Sequence, residues 1–447
     1  MKKISIIGAG LVGSLLALYL NKRGYKVTLH ERRPDMRKVK IPAGRSINLA
    51  LSDRGWKGLQ GVGIDDAIRQ IGIPMTHRTM HSVDGKITTQ PYGKDGQGIY
   101  AVSRGILNCT LLDLAEAGGV EIHFNQRCTG ITLASGEMQF EHSENNQKSS
   151  QHADLIFGAD GAFAASRLQL QLSTDQFNYS QSYLQHGYKE LMFVAKADGS
   201  HQLEKNALHI WPRGGYMLIA LPNLDGTFTV TLFFPLKGNP SFESLHNKQE
   251  VKAFFQKTFP DAVPLLHDLE EDFFHNPTGS LVTVKCAPWS FKNKVVLIGD
   301  AAHAIVPFYG QGMNCGFEDC SVLNDLLNQH ADDWEKVILE YERLRKPAAD
   351  AIGELAVDNF IEMRDLVGEP EFLLRKKIEG WFSEKHPDKW IPLYTMVTFS
   401  HIPYHEAQAR GQRQNDIMNE VMKITDIENK WNSAEVENQI LQLLNYT

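Results

Sequence analysis

Residues 3–31 read KISIIGAGLVGSLLALYLNKRGYKVTLHE. An apolar run, the glycines Gly8, Gly10 and Gly13, an amphipathic stretch, Gly24, a second apolar run and an acidic residue follow in the order of a βαβ dinucleotide-binding unit. Each spacing has a physical reason. Gly8 makes the tight turn, Gly10 lets a pyrophosphate approach the backbone, and Gly13 allows close packing of helix on strand. Glu31, 18 residues beyond Gly13, is placed to hold adenosine ribose hydroxyls. Lys2-Lys3 and the apolar run from Ile4 to Leu20 imitate a signal peptide. The glycines inside the run contradict that reading, and Asn21-Lys22-Arg23 stands where a small-residue cleavage site would be.

The 447 residues, 42% of them hydrophobic, suffice for two or three domains with a large core. A net charge of -7 gives no general electrostatic reason to bind nucleic acid or an anionic membrane, so a small-molecule partner is expected. Five cysteines without a C-x-x-C argue against a disulfide framework or a zinc site and fit a reducing cytoplasm. No stretch reaches the roughly 18 uninterrupted apolar residues of a spanning helix, and no anchor is expected in the polar tail.

The glycine fingerprint serves FAD and NAD alike, because both carry adenosine diphosphate. Residues 32–55 are basic and loop-like; Arg45 suits a flavin or pyridine nucleotide phosphate, and equally a solvated surface. Residues 53–71 read as helix. From Ile73 to Tyr100 short alternating segments and turn dipeptides predict a β-rich excursion, in which Arg78 and Tyr92 suit a small anion or a plain sheet surface. Ser103 or Asn108 would cap the next helix, with Arg104 at its start beside flavin phosphates or the ribityl chain. DLIFGADGAFAASR then gives a second strand-turn-helix corner at Asp160-Gly161 and Arg167, and residues 180–290 are the richest in strand-like runs. In 299–320, GDAAHAIVPFYGQGMNCGFEDC, Asp300 would accept hydrogen bonds from ribityl hydroxyls, and the N–H groups around Gly312, Met313 and Asn314 form a helix N-terminus favouring negative charge. The remainder is mainly helical, with Asn359 and Met363 four apart on one face.

No repeat appears and no second G-x-G-x-x-G follows a strand, so one nucleotide-binding fold is expected. The pairs His77/His81 and His401/His405 lack a nearby third ligand, Pro403 interrupts the second, and no metal is expected. No G-x-S-x-G elbow suggests a hydrolase.

Three motifs in order, the fingerprint ending in Glu31, the corner at Asp160-Gly161 and the GDAAH…P…GQGMN loop, make the chain resemble the flavoprotein aromatic hydroxylases. The middle motif departs from D-G-x-x-S-x-x-R: Ala164 stands at the serine position, while Arg167 is kept. Dispersed segments such as GRSINLALSDRG, MTHRTMHS, LHIWPR, MLIALPN, NFIEMR and IPLYTMVTFSHIPYHEA are similar to those of the kynurenine hydroxylases within that group. The resemblance implies an α/β fold: a Rossmann-like FAD-binding domain (1–72, 100–179, 281–345), an antiparallel-sheet substrate domain (73–99, 180–280) and a C-terminal helical region (346–447). It implies that Arg78, Tyr92 and Tyr394 bind a substrate carboxylate, that Asn359 also touches substrate, and that Met363, Phe308 and Tyr309 line the pocket. FAD contacts would come from Val12, Glu31, Arg32, Ala50, Arg104, Asp300, Met313 and Asn314, beside Gly8, Gly10, Gly13, Arg45, Asp160 and Gly312.

The activity so implied is a cytoplasmic oxidoreductase of tryptophan catabolism and NAD biosynthesis. It would use NADPH, O₂ and a flavin C4a-hydroperoxide to convert L-kynurenine to 3-hydroxy-L-kynurenine. No protein group need act as catalyst, because the cofactor carries the difficult step. The alternatives are a related hydroxylase for another aromatic acid and a non-redox binding protein on the same fold. Oligomeric state and the NADPH docking surface stay open.

Overall fold

The structure is a computed structural model that describes residues 2–39, 48–93, 96–363 and 369–445. The strands Lys3–Ile7, Leu155–Gly158 and Val295–Leu297 are nearly continuous apolar runs, and with Lys26–His30 and Glu121–His123 they form one parallel sheet. That is the composition expected of strands covered on both faces. Its order is 290–291, 295–297, 155–158, 3–7, 26–30, 121–123, with Ser290–Phe291 antiparallel at the edge. The register is tight: Ile6 lies beside Leu29 on one side and Phe157 on the other. The three central strands end at the same edge, so the loops at Gly8, Ala159 and Gly299 converge there, as ligand-binding loops do in open α/β sheets.

A second sheet runs 279–287, 178–193, 228–235, 217–222, 207–212, 77–81, 87–91. It is antiparallel except where Ala207–Pro212 pairs in parallel with His77–His81. That exception to the expected antiparallel sheet has a topological cause. The hairpin 77–91 comes from more than a hundred residues upstream, and no short turn sets its direction. The period of two divides the faces. Leu218, Ala220, Val230, Leu232 and Phe234 pack with Phe255 and Phe259 of the helical layer outside, while Met217, Ile219, Thr231 and Phe233 face inward onto a cavity.

The expected helix over 53–71 is two helices, Asp53–Val62 and Asp65–Arg69, because Gly63 ends the first at φ +79°. Ser103 is the cap of Arg104–Ala117, its hydroxyl accepting from Ile106 N–H; Asn108 instead donates to the Ala9 carbonyl at 3.2 Å and braces the glycine loop. The C-terminal helices pack around Phe382, Trp390 and Met418, and the short helix Leu393–Thr398 carries Tyr394 to the cavity. Among the described residues no helix is long and apolar enough to cross a membrane.

Candidate functional site

The glycine loop is built as its spacing demands. Gly8 has φ +103°, and a Cβ there would lie 2.4 Å from the Ala159 carbonyl oxygen; one on Gly13 would lie 2.0 Å from that of Gly8. Gly10 meets nothing within 4 Å, so its open side faces the cavity. It is also the N-cap of Leu11–Lys22 without a side-chain cap, which leaves first-turn N–H groups free for an anion. Glu31 accepts from Ala9 N–H at 3.1 Å and Arg33 N–H at 3.0 Å, which fixes its carboxylate at the loop.

The second corner uses a residue that motif matching overlooks. Ala164 provides no side-chain cap, but Ser166, two positions on, donates its hydroxyl to Asp160 and its N–H to the other carboxylate oxygen at 3.0 Å. Burial raises the Asp160 pKa, and these hydrogen bonds oppose the rise. Arg167 donates to the Ala301 carbonyl at 2.8 Å and to that of Ala162, tying this corner to the Asp300 loop. At the third corner Gly299 has φ +60°, and helix Gly312–Gln329 begins without a side-chain cap.

One cavity of about 610 Å³ joins these corners. Gly8, Gly10, Val12, Glu31, Arg32, Arg104, Asp160 and Asp300 line one part, Ala50, Gly312 and Met313 the middle, and Arg78, Tyr92, Tyr394, Phe308, Tyr309 and Met363 the far end. The glycine cradle, uncapped helix ends and a carboxylate at the second strand suit FAD at the first two parts.

At the far end Arg78 lies deep in the protein, its guanidinium carbon 4.3 Å from the Tyr394 ring centroid and 5.0 Å from that of Tyr92. Burial works against its charge, while Tyr394 and Tyr92 beside it favour the cation, and the balance raises its pKa. Arg78 Nε and the Tyr92 hydroxyl are buried without a hydrogen-bond partner. Burial also raises the Tyr92 pKa, so that hydroxyl stays a donor. Unsatisfied buried polar atoms are rare; a cation and a hydroxyl left so beside a cavity have the chemistry that suits a small anion. Tyr92, Tyr394 and Tyr309 stack in sequence at 5.8 and 5.6 Å, and Phe308 stacks on Phe360 at 4.1 Å.

Three of the expected residues are not part of this cavity's wall. Asn314 is fully buried: its amide donates to the Ala50 and Gly310 carbonyls at 2.8 Å and accepts from Ser52 N–H, so the side chain ties strand to loop and does not line the cavity. Asn359 donates to the Phe308 carbonyl at 2.8 Å and approaches Met363 sulfur at 3.3 Å, and so ties together two residues of the wall. Gly13 packs under the loop, off the wall. Arg45 lies outside the described residues. Behind the Asp300 loop, His303, Cys315 and Asp319 place ligand-type atoms within 4.8 Å of one another. The Arg345 guanidinium already occupies that space, 2.7 Å from Asp319 and 3.3 Å from Cys315 sulfur, so the cluster is an ion-pair network.

The FAD binding domain family matches residues 1–356. Among solved structures the chain is similar to 2-methyl-3-hydroxypyridine-5-carboxylic acid oxygenase (TM-score 0.67, 20% identity, 83% of this chain and 94% of that one). It is also similar to tetracycline destructase Tet(55) (TM-score 0.62, 17% identity, 90% and 98%). At such identities these likenesses speak for the fold alone. In sequence it is 55% identical to kynurenine 3-monooxygenase of Flavobacterium johnsoniae over 99% of this chain and 98% of that one. It is 44% identical to that of Anopheles gambiae over 94% and 86%. Identity above one half, spread over nearly the whole of both chains, shows that this chain belongs to the kynurenine 3-monooxygenase family of FAD-binding proteins.

Proposed function

We propose that the protein is an NADPH- and FAD-dependent monooxygenase that hydroxylates L-kynurenine to 3-hydroxy-L-kynurenine. One observation carries this reading: a single cavity has a dinucleotide cradle at one end and, at the other, Arg78 and Tyr92 with unsatisfied buried donors among stacked tyrosines. In this reading residues 1–72, 100–179 and 281–345 hold FAD, residues 73–99 and 180–280 wall the substrate, and 346–447 close over it. Bound FAD supplies the redox chemistry with NADPH and O₂.

The chain's own residues bind, orient and exclude water. Arg78, Tyr92 and Tyr394 grip the carboxylate, while Phe308, Tyr309 and Met363 hold the ring and keep the site dry. The amino group of the substrate activates the ortho carbon, so no strong protein base is required there. Glu31, Asp160 and Asp300 with the Gly10 and Gly312 helix ends hold the cofactor. The five cysteines are free thiols, which supports a place in the cytoplasm.

The test is anaerobic reduction of the purified flavoprotein by NADPH with and without kynurenine, followed by product analysis in air. Strong acceleration by kynurenine and formation of 3-hydroxykynurenine are expected. A protein without flavin, or one whose reduction ignores kynurenine and which yields no hydroxylated product, defeats the proposal.

A further inference from the structure

Arg54 is fully buried and lies in the helix Asp53–Val62, just after the strand that carries Ala50 to the cavity. Its guanidinium lies 4.0 Å from the Tyr404 ring centroid and spends two of its three nitrogens on one short segment. Nε donates to the Val397 carbonyl at 3.0 Å, and one terminal nitrogen donates to the carbonyls of Met396 (3.3 Å) and Ile402. The other meets Glu318 Oε1 at 2.5 Å. Met396 and Val397 belong to the last turn of helix Leu393–Thr398, whose carbonyls have no partner within the helix. A fixed cation there satisfies those carbonyls and complements the negative end of the helix. The same six-residue helix carries Tyr394. Isolated helices of that length do not hold themselves together in water, so its placement depends on what clamps its ends.

We infer that Arg54 is a positioning residue for the substrate end of the cavity, and this rests on the functional reading above. It clamps the far end of the Tyr394 helix and so holds the tyrosine against Arg78. Its other partner leads to the cofactor corner: Glu318 also pairs with Arg345 at 2.6 Å, Arg345 with Asp319 at 2.7 Å, and Asp319 accepts from Gly299 N–H at 3.1 Å and from His303 at 2.6 Å. This line of alternating charges braces the Asp300 loop and the Tyr394 helix from one buried spine. Lysine at position 54 keeps the charge beside Glu318 but has no planar fork to bridge three carbonyls. The two ends of the spine can therefore be separated.

The test compares wild-type and Arg54→Lys holoenzymes. Kynurenine affinity is read from the perturbation of flavin absorbance, and amide hydrogen exchange is measured over residues 393–402 without substrate. Flavin content should stay at the wild-type level. Exchange in the segment should accelerate, and the Kd and KM for kynurenine should rise by about tenfold or more with kcat changed far less. A merely structural loss would instead lower flavin content and kcat together. Unchanged affinity in flavin-replete Arg54→Lys, whether or not exchange accelerates, overturns the inference. If Arg54→Lys does not fold, the double variant Arg54→Gln/Glu318→Gln removes both charges of the pair, and the same two measurements decide. Should the wild type not respond to kynurenine, the functional reading has failed; the exchange rates then decide the clamping of the helix alone.

Discussion

Replacing Arg78 with methionine removes the cation of the proposed carboxylate receptor, at similar side-chain volume. Its guanidinium stands beside the stacked rings of Tyr92 and Tyr394, with Nε unpartnered in the protein, and among the described residues no acidic side chain pairs with it. A hydrogen bond to a charged group contributes about 1.5–3 kcal/mol net. Two such bonds to a carboxylate are therefore worth about 3–6 kcal/mol. The free protein holds that cation without a salt bridge, and about 1–2 kcal/mol of the total is offset because binding must displace its cation–π contacts and cavity water. Kynurenine binding should thus weaken by about 2–4 kcal/mol, roughly 30- to 900-fold in Kd, read from the flavin absorbance change on titration. Flavin content should not change, because Arg78 stands at the end of the cavity away from the glycine cradle. Thermal stability should be equal to or slightly above wild type, since the free protein loses an unpaired charge. Affinity within twofold of wild type would refute the carboxylate receptor, and a large loss of stability would show that Arg78 is held by the fold for structural reasons.

Gly8→Ala, which must enter left-handed backbone with its Cβ 2.4 Å from the Ala159 oxygen, should destabilise the protein by more than about 2 kcal/mol and lower flavin content; a normal melting temperature with full flavin would be incompatible with the loop described. Ser166→Ala deprives half-buried Asp160 of a hydroxyl donor, and a loss of about 1–2 kcal/mol in denaturant stability is expected; no loss would mean that water replaces the hydroxyl without penalty. His30 has both ring nitrogens buried without partners, and burial first, then His123, lowers its pKa to about 3. The unfolded chain binds this proton near pH 6.5 and the folded protein only near pH 3. Stability should therefore fall as pH drops through that window, by up to about 1.4 kcal/mol per pH unit. In His30→Phe, with Phe140 already stacked at 4.4 Å, urea titrations from pH 7 to 5 should show less of this acid loss; an identical slope would place its origin elsewhere.

Local rules made the cofactor end legible in the sequence. The left-handed backbone at Gly8, the close approach of Gly13 to Gly8, the uncapped helix start at Gly10 and the acid at Glu31 lie within about thirty residues of chain, so spacing alone identifies them. The apolar runs 217–222 and 228–235 likewise announce strands of a sheet able to wall a pocket, while which face meets the cavity came from the packing. Resemblance to a known family supplied Arg78, Tyr92 and Tyr394, which no local pattern distinguishes from sheet-surface residues. What the tertiary structure decided was where polar side chains turn. Asn314 and Asn359, expected at ligands, face backbone carbonyls; Ser166, outside the motif, supplies a hydroxyl to Asp160; Arg54, unremarkable in sequence, reaches carbonyls more than 340 residues away. Backbone conformation follows from sterics between neighbours, whereas the partner of a buried polar group is set by which distant elements are packed against it. Any polar side chain can satisfy such a group, so its partner emerges only once the chain has closed around it.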